Sequence, residues 1–287
     1  MILSPHSWDP CEDPSPWLRS LQLSPQRAAA ATRQGSASPS PVQPPLLLQL
    51  DRRRWLKRSL ADSPLLAWLT PEERQRAERL RQPQDRERHL LGRAGLRRLL
   101  GVWRRQPPDS VPLRSGSHGK PFCPGGPQFN LSHSGDLILL AFHPDWPVGV
   151  DVEQLRPQLE WRSLAARLLG QAECRQLESL PTSAQPQAFL QVWCRIEARL
   201  KAPGLGLAGL QALRRQEERA GELERERVAR AGVRLGGLGL RAQERLWDLD
   251  LPSGYCGALA CLVREGSLEW PAGAQAGDAA APGERFG

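Results

Sequence analysis

Val148-Gly149-Val150-Asp151-Val152-Glu153 sets valines against glycine and carboxylates in strict alternation. A period of two marks a β-strand with one face in a core. Val150 and Val152 then enter the core, while Asp151 and Glu153 project together from the opposite face. Two carboxylates side by side repel each other unless a cation lies between them. Oxygen ligands of this kind suit Mg²⁺, which takes one or two protein carboxylates and completes its shell with phosphate oxygens and water. The same spacing also describes a solvated strand face, and both readings stand at this point.

Outward from this strand, Leu137–Phe142 is expected to form a strand pair with it, and Pro45-Leu46-Leu47-Leu48-Gln49-Leu50 reads as an earlier short strand. Thr70-Pro71-Glu72-Glu73 is a helix start, with Thr as N-cap, Pro at the first position and Glu three residues on. A helix is expected from about Gln84 to Trp103, with Leu90, Leu91, Ala94, Leu99 and Leu100 on its apolar face. Beyond Glu153, helices are expected over Arg162–Leu169, Ala172–Leu180 and about Pro186 to Ala202. Strands follow at Arg245–Leu251 and Tyr255–Val263. Helix-helix-strand order occurs in both halves, although no residue-level repeat accompanies it. The fold class is therefore mixed α/β (α+β).

The chain has 287 residues, 40% hydrophobic and 24% charged, the balance of a globular protein rather than a disordered one. No stretch approaches the roughly 20 apolar residues of a membrane span. Six scattered cysteines without a C-x-x-C pair argue against a zinc ribbon or a redox dithiol. Residues 1–15 lack the basic and apolar regions of a signal peptide, so reduced cysteines and a cytoplasmic location are expected. A formal charge of +8 and a pI near 9.8 suit an acidic partner. Lysine stands only at Lys57, Lys120 and Lys201, among 39 basic residues. The Pro/Ser/Ala-rich residues 1–44 read as a disordered lead and 266–287 as a flexible tail. Between them, 45–150 and 151–265 form the expected halves. Arg214–Arg230 mixes Arg with Glu and reads as a solvated helical insertion.

Two further clusters bear on chemistry. In Trp193-Cys194-Arg195-Ile196-Glu197-Ala198-Arg199-Leu200-Lys201, helical spacing sets Trp193, Glu197 and Lys201 on one stripe. Its ordinary reading is a surface Glu–Lys pair beside a core Trp. Gly119-Lys120-Pro121, followed by Phe129-Asn130-Leu131-Ser132-His133-Ser134-Gly135, makes a backbone-rich anion cradle. Its plainer reading is a loop with a hydrogen-bonded His. No Walker-type or G-x-G-x-x-G phosphate motif is present in a supporting context.

In this order and at these separations, G-K-P, F-N-L-S-H-S, V-G-V-D-V-E and W-x-x-x-E-x-x-x-K resemble the Sfp-type 4′-phosphopantetheinyl transferases. The resemblance runs from about Leu46 to Val263, and Asp85-Arg86-Glu87-Arg88-His89 looks like that family's basic helix. It implies two similar α/β halves in a pseudo-twofold arrangement, with coenzyme A in the cleft between them. The implied reaction moves phosphopantetheine from coenzyme A to a serine of an apo acyl- or peptidyl-carrier protein and releases adenosine 3′,5′-bisphosphate. Asp151, Glu153 and Glu197 would hold Mg²⁺ or Mn²⁺. Glu197, directly or through a metal-bound water, would take the serine proton, and Lys201 would meet the departing phosphate. Lys120, Ser132 and His133 would bind coenzyme A, and Arg88 its 3′-phosphate. A monomer is implied, with neither nucleic acid nor membrane as partner.

One position departs from the family pattern. The family helix reads W-x-x-K-E, and Ile196 stands here in place of that Lys. The loss of a cation beside the pyrophosphate would weaken binding or turnover, and restoring Lys at this position is expected to raise activity or tighten coenzyme A binding. The departure keeps open a catalytically impaired homologue that binds carrier protein or coenzyme A without transfer. A nucleic-acid-binding module, prompted by the pI alone, lacks a gathered basic patch.

Overall fold

The computed structural model describes residues 18–21, 45–56, 64–156, 158–213, 215, 233–234 and 241–264. Strands β1 (Leu18–Leu21) and β2 (Leu46–Asp51) lead into helices α1 (Arg52–Leu56), α2 (Pro71–Glu78) and α3 (Pro83–Arg104). A short hairpin, β3 (Arg114–Ser115) and β4 (Pro121–Phe122), precedes β5 (Gln128–Ser134) and β6 (Leu137–His143). A second series follows: β7 (Val148–Gln154), α4 (Trp161–Leu168), α5 (Gln171–Glu178), α6 (Gln185–Lys201), β8 (Val233–Arg234), β9 (Arg241–Asp248) and β10 (Tyr255–Arg264). The chain is thus of the mixed α+β class expected from its sequence.

Two four-stranded antiparallel sheets result, ordered β1-β2-β6-β5 and β7-β10-β9-β8. In each series the strand that precedes the helices pairs with the last strand, β2 with β6 and β7 with β10. Three apolar layers hold this arrangement. On β6, Ile138, Leu140 and Phe142 join Leu90, Leu91 and Leu96 of α3 in one core. The alternate residues Leu137, Leu139 and Ala141 meet Val148, Val150, Val152 and Leu259 of the other sheet. The far face of β10, with Ala258, Ala260 and Leu262, packs on Phe189, Leu190 and Leu200 of α6. The order is helix, sheet, sheet, helix. Burial on both faces explains why β6 reads as an unbroken apolar run instead of an alternating one.

The capping box before α2 forms as expected: the Glu73 backbone N–H donates to Thr70 Oγ1, and the Thr70 N–H donates to the Glu73 carboxylate. Three expectations are corrected. β6 and β7 are not hydrogen-bonded partners, because the chain turns out of the first sheet between them. His143 Nδ1 accepts the backbone N–H groups of Asp145 at 3.0 Å and Trp146 at 2.8 Å, and β7 then pairs with β10. The change of sheet therefore falls between His143 and Val148, and a division at 150/151 would cut β7. Phe129–Ser134, read as a cradle or loop, is strand β5.

Within the expected lead 1–44, Leu18–Leu21 pairs antiparallel with β2, and the rest of that segment lies outside the described residues. The tail 266–287 and, apart from Arg215, the charged run 214–230 also lie outside them. Among the described residues, no helix is long and apolar enough to cross a membrane.

Candidate active site

Edge strand β5 of the first sheet runs beside edge strand β7 of the second, and α6 lies against β7. A cavity of about 330 Å³ opens where the three meet. Strand β5 supplies Leu131, Ser132 and His133; β7 supplies Asp151 and Glu153; α6 supplies Trp193, Glu197 and Lys201. The stripe expected from helical spacing is therefore a cavity wall. Its closeness to β7 depends on Gly149: a Cβ there would stand 2.0 Å from the Ala198 carbonyl oxygen and 2.4 Å from the Ala202 nitrogen. No side chain fits between this strand and the helix backbone.

Asp151 is the best-buried charge of the group, 3% exposed. Its Oδ1 accepts the Ser132 hydroxyl at 2.9 Å and the Lys201 ammonium at 2.5 Å, while Oδ2 is buried without a hydrogen-bond partner. Lys201 Nζ also donates to Ser132 Oγ at 3.2 Å and lies 3.9 Å from Glu197 Oε2. Burial pushes the Glu153 and Glu197 carboxyls above the ordinary range, and the Asp151 charge pushes both further. Ser134 opposes that push on Glu153, and Lys201 opposes it on Glu197. His133 stands at the open rim, yet loss of solvent around its ring, then Arg88 and Lys201, hold its imidazole below the usual value.

Among the described residues, no three His, Cys, Asp or Glu side chains are gathered into a metal site as they stand. The donor chemistry nevertheless fits a divalent cation. Three carboxylates line one cavity, a buried Asp151 oxygen has no partner, and the Lys201 ammonium already stands against the same residue. Hard oxygen donors of this kind are those that Mg²⁺ and Mn²⁺ take.

Six of the eight residues singled out from sequence meet in this cavity: Ser132, His133, Asp151, Glu153, Glu197 and Lys201. Arg88 lies just beyond its lining, donating to the Gly135 carbonyl oxygen at 2.6 Å and pairing with Asp85. Lys120 is not brought into the cavity. Its ammonium donates to the carbonyl oxygens of Val148 at 2.9 Å and Ala202 at 2.7 Å, tying the β3–β4 hairpin to the start of β7 and the end of α6. Burial pushes it down to about 7. Ile196 is 8% exposed and packs in the core beneath α6, while Arg195 is held by Asp248 at 2.6 Å. Neither side of this departure places a cation at the cavity.

The sequence reading missed the bonds that join β5 to β7. The Val150 N–H donates to Asn130 Oδ1 at 2.9 Å, Ser132 reaches Asp151, and Ser134 Oγ donates to Glu153 Oε2 at 2.8 Å. The signal was the spacing of Asn130, Ser132 and Ser134, three small polar side chains on one face of a strand.

Comparison with known proteins agrees along most of the described chain. Residues 147–259 match the family model for the 4′-phosphopantetheinyl transferase superfamily, and residues 54–145 match that for the 4′-phosphopantetheinyl transferase N-terminal region. The chain is 37% identical over 182 residues to the 4′-phosphopantetheinyl transferase HetI of Nostoc sp., covering 60% of this chain and 77% of that protein. It is 43% identical over 91 residues to the 4′-phosphopantetheinyl transferase AcpT of Salmonella typhimurium, covering 31% of this chain and 47% of that protein. It is 31% identical over 173 residues to a phosphopantetheinyl transferase of Thraustochytrium sp., covering 55% and 60% respectively. The matched region thus spans less than two thirds of the latter two relatives.

Proposed function

The chain belongs to the 4′-phosphopantetheinyl transferases, and from that premise we propose that it transfers 4′-phosphopantetheine from coenzyme A to a serine of an apo acyl- or peptidyl-carrier protein. The observation that carries this reading is the convergence of Asp151, Glu153, Glu197 and Lys201, from a strand and a helix, on one cavity. In this reading the serine oxygen attacks the phosphorus on the pantetheine side of the pyrophosphate. The bond to the adenosine side breaks, and adenosine 3′,5′-bisphosphate leaves.

Asp151, Glu153 and Glu197 would hold Mg²⁺ or Mn²⁺, which when bound supplies electrostatic stabilisation to the charge building on the pyrophosphate oxygens. The remaining roles belong to the chain. Glu197 accepts the serine proton at a carboxylate oxygen. Lys201 leaves Asp151 to meet the departing phosphate as a compact, mobile charge. Ser132 and His133 contact coenzyme A from β5, and Arg88 meets its 3′-phosphate. Leu131 and Trp193 give the cavity an apolar wall that restricts water near the phosphate. Lys120, engaged by two carbonyl oxygens, reaches a phosphate only if it gives them up.

The shared strand order of the two series supports a pseudo-twofold pair of halves with the reaction in the cleft between them. A single chain then supplies both walls, so a monomer suffices, and we read it as acting in the cytoplasm. The basic surplus of the chain favours encounter with an acidic carrier. A second reading, coenzyme A or carrier binding without transfer, draws on Ile196 and Arg195, neither of which supplies the missing cation. Mass spectrometry of apo acyl- and peptidyl-carrier proteins incubated with the chain, coenzyme A and Mg²⁺ separates the two. Addition of one phosphopantetheine is expected; bound coenzyme A with unmodified carriers supports the second reading.

A further inference from the structure

Between β5 and β7, side chains take the place of a backbone ladder, because the two strands are edges of different sheets. The three rungs, from Asn130, Ser132 and Ser134, are not equivalent. Asn130 meets only the backbone of Val150, whereas Ser132 and Ser134 meet carboxylates that face the cavity. Ser134 is 5% exposed, and its hydroxyl is oriented from both sides. It accepts the Gln154 N–H at 3.1 Å, which directs its own proton to Glu153 Oε2 at 2.8 Å.

The next residue fixes the end of β5. Gly135 has φ +55°, and a Cβ there would lie 2.4 Å from Gln154 Oε1 and 2.5 Å from the Tyr255 hydroxyl oxygen. That hydroxyl accepts the Asp136 N–H at 2.9 Å, so β10 also pins the β5–β6 turn. Ser134 is therefore held by its own strand end and by β7.

We infer that Ser134 is a positioning residue for Glu153: by engaging Oε2 it leaves Oε1 for the divalent cation, and it sets how far the first sheet stands from the carboxylate strand. This rests on the metal role proposed above. Partners that orient a ligating carboxylate typically change metal affinity by about 10–100-fold when removed. Ser134 touches neither substrate nor cation, so its effect passes through Glu153.

The test is Mn²⁺ binding by the full chain, read by electron paramagnetic resonance of free Mn²⁺, with thermal unfolding measured alongside. Ser134→Ala is expected to weaken Mn²⁺ binding about tenfold. Ser134→Thr, which keeps the hydroxyl, is expected to regain most of that loss. Asn130→Ala removes a rung that touches only backbone; it is expected to lower the melting temperature while leaving Mn²⁺ affinity at the wild-type value. Unchanged affinity in Ser134→Ala overturns the inference, as does an equal loss in Asn130→Ala. A wild-type chain that binds no Mn²⁺ overturns the metal reading and this inference together. Tight wild-type binding that is indifferent to Ser134 removes the inference alone.

Discussion

Strands β2 and β7 hold the same place in their two series: each precedes its helices, and each pairs with the last strand of its sheet. Their helix-facing residues differ in kind. Strand β2 presents Leu48 and Leu50, 1% and 0% exposed, to the core beneath α3. Strand β7 presents Asp151 and Glu153 to α6. The close approaches differ as well. A Cβ at Gly95 of α3 would meet side chains, Leu50 at 3.0 Å and Leu140 at 3.4 Å, whereas one at Gly149 would meet backbone at 2.0 Å. One half keeps the packing that stabilises a sheet and helix. The other gives up two apolar positions beside its helix to charges that need partners, and local cost of that kind is expected at a functional site.

Removing the cation should break this contrast most strongly. If the β7 carboxylates work through a divalent metal, chelation lowers carrier modification by on the order of a hundredfold or more, and Mg²⁺ or Mn²⁺ restores it. Chelator-resistant transfer would leave those carboxylates with another role. The two faces of α6 offer the next test. Ile196→Lys puts an ammonium into the core beneath the helix, and denaturant unfolding should show a loss of about 3 kcal/mol with no gain in activity. This reverses the expectation drawn from the family pattern alone; a stable variant with tighter coenzyme A binding would contradict the buried placement of Ile196.

The paired glycines sharpen the contrast further. Gly149→Ala should cost about 3 kcal/mol, the upper end for overpacking, because neither strand nor helix backbone can give way. Gly95→Ala should cost under about 1 kcal/mol, since the Leu50 side chain can shift and Leu140 is met at ordinary contact distance. Equal losses at the two positions would remove the distinction between the halves. A pH-dependent test lies at Lys120, whose pKa burial lowers from 10.5 to about 7. Between those values the unfolded chain holds a proton that the folded chain lacks, so this residue's contribution to stability rises with pH. The melting temperature of wild type relative to Lys120→Met should therefore climb from about pH 7 towards pH 10. A flat difference would place the Lys120 pKa near its ordinary value.

Much of this site was legible because it lies on regular elements. The alternation around Asp151 and the four-residue spacing of Trp193, Glu197 and Lys201 report which face each residue occupies, and local geometry suffices for that. Strand β5 was not legible as a strand, since Asn, Ser and Gly also favour turns. Only its bonds to β7, across a long stretch of sequence, make those residue types fit. Lys120 shows the same limit: its motif was visible, but the carbonyl oxygens it serves come from β7 and from the end of α6. Ile196 was visible as a departure, while its place in the core is a tertiary fact.

Transfer by the charged half is proposed to run through Glu197. Its most direct test is the rate of phosphopantetheine addition to an apo carrier by wild type and by Glu197→Gln, at saturating coenzyme A and Mg²⁺, with coenzyme A affinity measured on both. A fall on the order of 10²–10⁴ in rate is expected, with coenzyme A binding largely retained. Transfer by Glu197→Gln at the wild-type rate would contradict it.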